Sequence, residues 1–300
     1  MDHLKFASID IGSNAVRFLL CYVFETPTGP FFRKGILLRV PLRLGEDSFR
    51  LGKISADKET KLIHTMHSFR HLMETQDIVA YKAFATSAMR DAGNQREIVK
   101  HIKNQCNIKI DVITGEEEAD IISGHEIPRY LKARNKMLFV DVGGGSTECT
   151  YYNKNKIIKE SFDVGTIRMI YNSSKGGNWR RLNAWLKKIG ANDSGIPILG
   201  SGGNINKIYK IKRRRVTDLH ITSQHLKDFY KDVKNMSEEE RIMIYQLNPD
   251  RADVIVPACE IFLQIIKITG TKKIFVPKTG LSDGIVRGLY DQYKAKASKA

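Results

Sequence analysis

The chain has 300 residues, of which 42% are hydrophobic and 27% charged; this suffices for two ordinary domain cores and excludes a disordered chain. Lys and Arg outnumber Asp and Glu by 49 to 33, and the formal net charge of +16 indicates an anionic partner: nucleic acid, an anionic membrane or a phosphate polymer. The four cysteines are widely spaced and form no CxxC pair, which predicts reduced thiols in a cytoplasmic protein. Because the first residues include an early acid and no long apolar run, we expect no signal peptide.

Short apolar runs and helical patterns alternate along the first part of the chain. A helix is predicted from Ser55 because Leu62, Met66 and Phe69 recur at helical spacing. In chain order, the predicted elements are strands Leu4–Ile9, Val16–Phe24 and Phe31–Val40, with a turn at Thr26–Pro30, a helix from Ser55 to about Thr75, a strand Ile78–Ala85, a helix after Ser87, a strand Ile108–Ile113 and a helix from Glu116.

The same order of elements begins again at Lys136. The predicted elements are strands Lys136–Asp141, Thr147–Tyr152 and Lys156–Phe162, a helix near Thr166, a strand Ile196–Leu199, helices over much of 222–268 with a Ser237–Glu240 capping box, a strand Lys273–Val276 and a helix from about Asp283. This internal repeat predicts two α/β domains, residues 1–123 and 124–300, with a cleft between them. We expect the last helix, at about 283–300, to pack back on the first domain.

A glycine turn follows the first strand of each half. The segments are Asp10-Ile11-Gly12-Ser13-Asn14 and Asp141-Val142-Gly143-Gly144-Gly145-Ser146. The Asp at each strand end can present a carboxylate, and the turn's backbone N–H groups, with Ser or Asn beside them, can form an anion-binding nest. One such turn also occurs as an ordinary glycine hairpin, but two copies in the same context favour a functional role.

Acidic residues near the second turn are candidates for metal binding and catalysis. A hairpin would bring Asp141 and Glu148 to one face, where paired carboxylates suit Mg²⁺; the alternative is a strand-end cap and a surface acid. Glu116-Glu117-Glu118 begin a helix, where acids complement the helix dipole, but one of them could be a base that activates water. Arg90, beside small hydroxyl residues at a helix start, is a candidate phosphate clamp.

Together these motifs resemble the exopolyphosphatase/guanosine pentaphosphate phosphohydrolase (Ppx/GppA) family. They are IDIGSNAVR at 9–17, ATSAMRDAGN at 85–94, TGEEEA at 114–119, VDVGGGSTE at 140–148, GSGGN at 200–204 and KTGLSDGIV at 278–286. The resemblance implies two ribonuclease-H-like domains of the actin/Hsp70/sugar-kinase superfamily, with a cleft between them, and release of terminal phosphate with Mg²⁺ or another divalent cation.

The resemblance also assigns site residues. It implies that Glu118 is the catalytic base and that Asp141 and Glu148 are the metal-binding and water-positioning acids. The phosphate-binding residues that it implies are Asp10, Ser13, Asn14, Arg90, Gly143, Gly144, Gly145, Ser146, Gly202 and Gly203. The chain departs from many members in having Ala15 rather than a hydroxyl residue after Asn14, and it ends at residue 300, before the helical part that longer members add. We therefore expect short polyphosphates to be preferred.

Several alternatives stay open from the sequence. Guanosine pentaphosphate is the rival substrate to inorganic polyphosphate, followed by a polyphosphate kinase-like activity, and a non-catalytic sensor of polyphosphate or alarmone nucleotides is the rival from another class. The basic run Lys210, Lys212, Arg213, Arg214 and Arg215, with Lys34, Arg39, Arg43 and Arg50, either lines an anion path or is a solvated surface. His64, His67 and His71 share a helical face, which we interpret as ordinary helix surface.

Two partner classes are not expected. The sequence contains no recognised motif for binding nucleic acid, and no apolar run is long enough to span a membrane. The glycine turns are not a GxxxxGK[ST] loop, which excludes a P-loop nucleotide hydrolase. The sequence leaves open whether the chain is a monomer or a homodimer.

Overall fold

The computed structural model describes residues 3–131, 135–153, 156–171, 176–189, 195–212 and 219–298. The chain forms two compact units: one combines Met1–Thr114 with Gly280–Ala300, and the other is Gly115–Thr279. Each unit contains a mixed sheet with helices, so the prediction of two α/β domains is confirmed.

The secondary structure elements are numbered in chain order. The strands are β1 (Leu4–Ile11), β2 (Val16–Thr26), β3 (Gly29–Val40), β4 (Ala80–Ala85), β5 (Ile110–Val112), β6 (Lys136–Val142), β7 (Thr147–Asn153), β8 (Lys156–Phe162), β9 (Ile198–Ser201), β10 (His220–Thr222) and β11 (Lys273–Phe275). The helices are α1 (Leu44–Leu51), α2 (Ala56–Glu74), α3 (Ser87–Asp91), α4 (Gln95–Cys106), α5 (Gly115–Leu131), α6 (Thr166–Ile170), α7 (Gly176–Lys188), α8 (Gly203–Lys212), α9 (Ser223–Lys234), α10 (Glu238–Tyr245), α11 (Pro249–Ala252), α12 (Ile255–Thr269) and α13 (Leu281–Ala297).

The first unit is built on a five-stranded sheet with the order β3-β2-β1-β4-β5. Strand β1 pairs antiparallel with β2 and parallel with β4. Because successive residues of a strand face opposite sides, Ile9 joins the core that contains Phe18, Met66 and Phe69, while Ser8 donates a hydrogen bond to the carbonyl of Ser282 in α13, at 3.0 Å. Helices α2 and α13 therefore cover opposite faces of this sheet.

The second unit repeats this strand order. Its sheet has the order β10-β11-β9-β6-β7-β8, in which β8-β7-β6-β9-β11 corresponds to β3-β2-β1-β4-β5 and β10 is added at the edge. One face of the sheet packs against α7, α9 and α12 around Val140, Trp185, Phe229 and Phe262, all of them buried. Helix α5 packs against β6, β7 and β8.

The two repeats exchange a helix. Helix α5 follows the last strand of the first sheet but packs in the second unit, and α13 follows β11 of the second sheet but packs on β1, β2 and β4 of the first. The boundary therefore lies between Thr114 and Gly115, nine residues before the predicted residue 123, since the whole of α5 belongs to the second unit. Helix α13 is grouped with the first unit from Gly280 onwards.

Local differences from the predicted elements are small. The predicted turn at Thr26–Pro30 is tighter, because Thr26 pairs directly with Gly29 and leaves a two-residue connection. Helices α1 and α8 and the edge strand β10 have no counterpart among the predicted elements. The Ser237–Glu240 capping box is confirmed, with both reciprocal hydrogen bonds at the start of α10. Among the described residues, no helix is both long and apolar enough to cross a membrane.

Candidate active site

Three buried carboxylates meet at the end of β6 in the second unit. Asp141 and Glu148 are direct partners in the antiparallel β6–β7 ladder, and Glu118 comes from the first turn of α5. One oxygen from each carboxylate lies within 4.8 Å of the others, and all three residues are less than a tenth exposed. No other group of three potential metal ligands lies so close together in the parts of the chain that the structure describes.

The placement of Glu118 depends on Gly115, the first residue of α5. A Cβ at position 115 would lie 2.2 Å from the Ser161 hydroxyl and 3.5 Å from Glu148 Oε1, so only glycine lets the helix start this close to the sheet. An ion pair between Lys159 of β8 and Asp120 fastens the same end of α5. The helix start is therefore held directly beside the two strand carboxylates.

The β8 strand supplies a hydroxyl to this acidic row. Ser161 is the ladder partner of Glu148, and its Oγ donates to Glu148 Oε1 at 3.0 Å. On the other side of Asp141, β9 places Ser201 as the parallel partner. The row across the sheet is therefore Ser201, Asp141, Glu148 and Ser161, two acids flanked by two hydroxyls.

Close carboxylates of like charge repel one another, and a bound cation would offset that repulsion. At separations of up to 4.8 Å, each ionised pair repels on the order of 3 kcal/mol at an effective dielectric constant of about 20. The same negative charge acts on the neighbouring thiol: burial raises the pKa of Cys149, and the carboxylates of Glu148 and Asp141 raise it further. An all-oxygen set of carboxylates is the donor chemistry of Mg²⁺, so the residues fit a magnesium ion.

The Gly143–Ser146 turn joins the two strands that carry Asp141 and Glu148. It is closed by a hydrogen bond from Gly143 N to Ser146 O at 2.9 Å. Its carbonyls accept from the start of α6: Thr166 N donates to Gly143 O at 3.1 Å, and Ile167 N to Gly144 O at 2.8 Å. The turn is thus held in place by backbone hydrogen bonds within the second unit, and it is close in sequence to Asp141 and Glu148.

The Gly202–Gly203 turn lies at the end of β9 and begins α8. Gly202 has φ = +112°, and a Cβ there would be 2.6 Å from the carbonyl oxygen of Val142. Arg251 Nη1 donates to Gly203 O at 2.5 Å. Since β9 pairs with β6, the turn follows directly on the acidic row.

The first unit carries the remaining predicted phosphate-binding residues. Gly12 N donates to Ala15 O at 3.2 Å, the same turn closure as in the second unit. The Ser13 hydroxyl shares a buried 2.8 Å hydrogen bond with the Ser87 hydroxyl, and Asp10 forms a 2.6 Å salt bridge with Arg17. Asn14, at the tip of this turn, has its Oδ1 buried.

One nitrogen of the Arg90 side chain is hydrogen-bonded to the backbone. Its Nη1 donates to Ile113 O at 2.8 Å, just after β5. The structure therefore places Arg90 beside the end of the strand that leads to Gly115.

Three of the predicted anion-path cations are paired with acids. Lys34 contacts Asp283 at 2.7 Å, Arg43 contacts Glu46 at 3.8 Å, and Lys212 contacts Asp232 at 3.4 Å. Arg213, Arg214 and Arg215 lie outside the described residues. Of the three predicted surface histidines, His71 pairs with Glu74 at 3.4 Å, and none joins a group of potential metal ligands among the described residues.

Three residues that support this site were missed in the sequence: Gly115, Ser161 and Arg168. Arg168 gave no signal in the sequence, because only the structure shows that this arginine of the short helix α6 is buried. The other two positions become informative only once the pairing of β7 with β8 and the packing of α5 are known.

The duplicated strand order, with a glycine turn after the first strand of each unit, defines a two-domain α/β protein of the ribonuclease-H-like class. The sequence model of the Ppx/GppA phosphatase family matches residues 37–293, most of the chain. The chain therefore belongs to the Ppx/GppA phosphatase family, as the motifs predicted.

Two curated relatives show how far the similarity reaches. A bifunctional 3-dehydroquinate synthase/phosphatase from Fusobacterium nucleatum is 27% identical over 312 residues, which cover 94% of this chain and 46% of that protein. Exopolyphosphatase 1 of Mycobacterium tuberculosis is 28% identical over 145 residues, which cover 48% of this chain and 41% of that protein. The chain thus spans less than half the length of these relatives.

Solved structures share the fold across the whole chain. An exopolyphosphatase from Cytophaga hutchinsonii matches with a TM-score of 0.78 at 22% identity, covering 96% of this chain and 98% of that one. A Ppx/GppA family member from Aquifex aeolicus matches with a TM-score of 0.75 at 23% identity, covering 97% and 99%. At these identities the likeness establishes the fold.

Proposed function

We propose that this protein is a metal-dependent phosphoric anhydride hydrolase that releases terminal phosphate from inorganic polyphosphate, with short chains preferred. The observation that carries the proposal is the group of Glu118, Asp141 and Glu148, with carboxylate oxygens within 4.8 Å of one another at a glycine turn. Family membership adds the expectation of a phosphatase, and one relative is itself called an exopolyphosphatase.

Asp141 and Glu148 would hold Mg²⁺ or another divalent cation. The ion would supply positive charge that offsets the negative charge of the terminal phosphoryl group. Ser161 donates a hydrogen bond to Oε1 of Glu148, which would orient this carboxylate for the ion.

Glu118 would act as the general base. Its carboxylate accepts a proton from a water as that water attacks the terminal phosphorus. The phosphorus–oxygen bond to the next phosphate breaks, and the electron pair leaves with the shortened chain, which departs as a phosphate-terminated anion. The products are inorganic phosphate and a polyphosphate that is one unit shorter.

The glycine turn would stabilise charge on the transferring phosphoryl group through its backbone N–H groups. We assign this role to Gly143, Gly144, Gly145 and Ser146, with Gly202 and Gly203 as further backbone contacts. Asp10, Ser13, Asn14 and Arg90 are proposed as phosphate-binding residues of the first unit. A cytoplasmic location belongs to the same proposal, and it agrees with four buried cysteines that form no disulfide.

Guanosine pentaphosphate is the second candidate substrate, since it presents the same terminal phosphoric anhydride. Purified protein should be incubated with tripolyphosphate, with long-chain polyphosphate and with guanosine pentaphosphate, each with Mg²⁺ and with a chelator, while released phosphate is measured. We expect Mg²⁺-dependent release, fastest from tripolyphosphate. No release from any of the three substrates would contradict the proposal. Release from guanosine pentaphosphate alone would make it the substrate in place of polyphosphate.

Glu118→Gln tests the assigned base. The amide keeps the size of the side chain but accepts no proton, so we expect the turnover rate to fall on the order of 10²–10⁴-fold. Glu116→Gln is the matched control, because Glu116 lies two residues earlier in the same helical turn and is exposed. Near-normal turnover of folded Glu118→Gln would move the role to another group, with Glu117 the next to test.

A further inference from the structure

A buried arginine lies under the glycine turn of the second unit. Arg168, in α6, has a side chain that is 10% exposed, and its Nε donates to Gly145 O at 2.6 Å. Its Nη2 lies 3.7 Å from Asp163 Oδ1. The guanidinium therefore bridges the turn and an acid that precedes α6.

With Arg168, the carbonyls of all three turn glycines are held from the α6 side. Backbone N–H groups of Thr166 and Ile167 hold Gly143 O and Gly144 O, and the guanidinium holds Gly145 O. Gly165 packs against the same backbone, since a Cβ there would lie 2.4 Å from the carbonyl carbon of Gly145. No side chain fits between the turn and the helix.

Fixing a carbonyl also fixes the N–H group of the next residue. The peptide unit is planar and trans, so its C=O and N–H point in opposite directions. Carbonyls held towards α6 at positions 143, 144 and 145 therefore direct the N–H groups of Gly144, Gly145 and Ser146 away from α6. The third of these peptide units is the one that Arg168 holds.

In the turn of the first unit, carbonyls are also held by hydrogen bonds, but the donors are different. There, Gly45 N donates to Ser13 O at 2.9 Å, and Arg43 N donates to Asn14 O at 3.0 Å. Asn14 corresponds to Gly145 by position in the turn. The equivalent carbonyl is thus held by a backbone N–H in one unit and by a side chain in the other, where mutation can remove it.

We propose that Arg168 is a positioning residue for phosphate binding: it touches no substrate, but it orients the Gly145–Ser146 peptide so that its N–H joins the anion-binding turn. The proposal rests on the function proposed above for this turn.

Arg168→Met and Arg168→Lys separate this role from a purely structural one. We expect Arg168→Met to raise both the KM for tripolyphosphate and the inhibition constant of inorganic phosphate by the same factor, about 10- to 100-fold, because a charge-assisted hydrogen bond is lost. The Mg²⁺ concentration for half-maximal activity should stay unchanged. Lysine can still donate to Gly145 O, so Arg168→Lys should recover most of the loss.

Arg241→Met is the matched control. Arg241 is also a partly buried arginine of the second unit that donates to backbone carbonyls, those of Val233 and Ala252 at 2.9 and 2.8 Å. We expect a lower melting temperature for this variant but unchanged KM and phosphate inhibition. An equal rise in KM for Arg241→Met would show that general loosening accounts for the effect and would overturn the proposal.

Gly165→Ala provides a second route if Arg168→Met does not fold. The added methyl group displaces the Gly144–Gly145 backbone and leaves every charge in place, so we expect the same joint rise in KM and inhibition constant. Unchanged values in folded Arg168→Met, or in folded Gly165→Ala where Arg168→Met does not fold, would overturn the proposal. Calorimetric titration with tripolyphosphate, in the absence of turnover, measures the loss of binding affinity directly. It therefore tests the role of Arg168 even if the wild-type protein releases no phosphate.

Discussion

The two units contain the same turn, but the side chain that faces the turn's Asp has the opposite charge in each. In both, an Asp ends the first strand and a four-residue turn closes through one backbone hydrogen bond, at 3.2 Å in the first unit and 2.9 Å in the second. The ladder partner of Asp141 is Glu148, whereas the partner of Asp10 is Arg17, at 2.6 Å. The hairpin frame is common to both units, and a single cross-strand position decides whether the Asp faces another acid or a cation.

A third position follows the same rule. A Thr-Gly pair stands at the start of each exchanged helix, Thr114-Gly115 at α5 and Thr279-Gly280 just before α13. An acid lies three residues after each glycine: Glu118 in α5 and Asp283 in α13. Glu118 completes the carboxylate group of the second unit, while Asp283 is paired with Lys34 at 2.7 Å. Three acids gather in one unit, and in the other each of two acids has its own cation. The duplicated fold therefore places equivalent residues in both units. The charges of those side chains determine which unit can hold a metal.

Removing the acids of the second unit should have the largest effect. We expect Mg²⁺ to raise the melting temperature of the wild-type protein. Asp141→Asn and Glu148→Gln should each abolish this rise and lower phosphate release by at least 100-fold. Because both residues serve one site, the double variant should lose little more than either single variant.

Asp10→Asn is the matched control in the first unit. This variant should keep its Mg²⁺-induced stabilisation, because Asp10 already has Arg17 as a partner. Loss of the Mg²⁺ response in Asp10→Asn, or additive losses with an unchanged Mg²⁺ response in the second-unit variants, would break the distinction between the units.

Removing the cation of the first unit should affect stability rather than metal binding. Arg17→Met leaves the Asp10 carboxylate, which is 5% exposed, without its salt bridge, and we expect the free energy of unfolding to fall by about 1–3 kcal/mol. Urea denaturation measures this loss. Arg70→Met is the control: Arg70 is as exposed as Arg17, at 33%, but it pairs with a half-exposed Glu74, so its loss should lower the stability much less. Equal losses would show that the Asp10 pair is an ordinary surface pair.

The basic run at 212–215 should have the smallest effect. Neutralising Lys212, Arg213, Arg214 and Arg215 together should raise the KM for long polyphosphates several-fold and leave that for tripolyphosphate nearly unchanged, since only long chains extend beyond the turns. The same variant should show less salt dependence. Processive, salt-insensitive shortening of long chains by the wild-type protein, followed on a product-length ladder, would contradict both the electrostatic hold and the preference for short substrates.

The sequence predicted the features that depend on local pattern. The repeat, the two Asp-turn segments and the pairing of Asp141 with Glu148 follow from strand periodicity and a short turn, and the structure has them. The domain boundary did not follow, because the pattern of α5 shows that it is a helix but not which sheet it covers. Ser161 and Arg168 escaped for a related reason: their roles depend on a neighbouring strand and on a carbonyl in the turn, and neither contact leaves a periodic signal.

The late position of α13 along the chain affects how the protein is synthesised. All five strands of the first sheet have been synthesised once residue 112 is made, but the helix that covers Phe6 and Ser8 follows only after the whole second unit. At about 5–20 residues per second, the uncovered face waits roughly 10–40 s. During that interval the nascent chain presents an apolar sheet surface to chaperones and to other nascent chains, while the second unit, which is continuous in sequence, can complete its own core first.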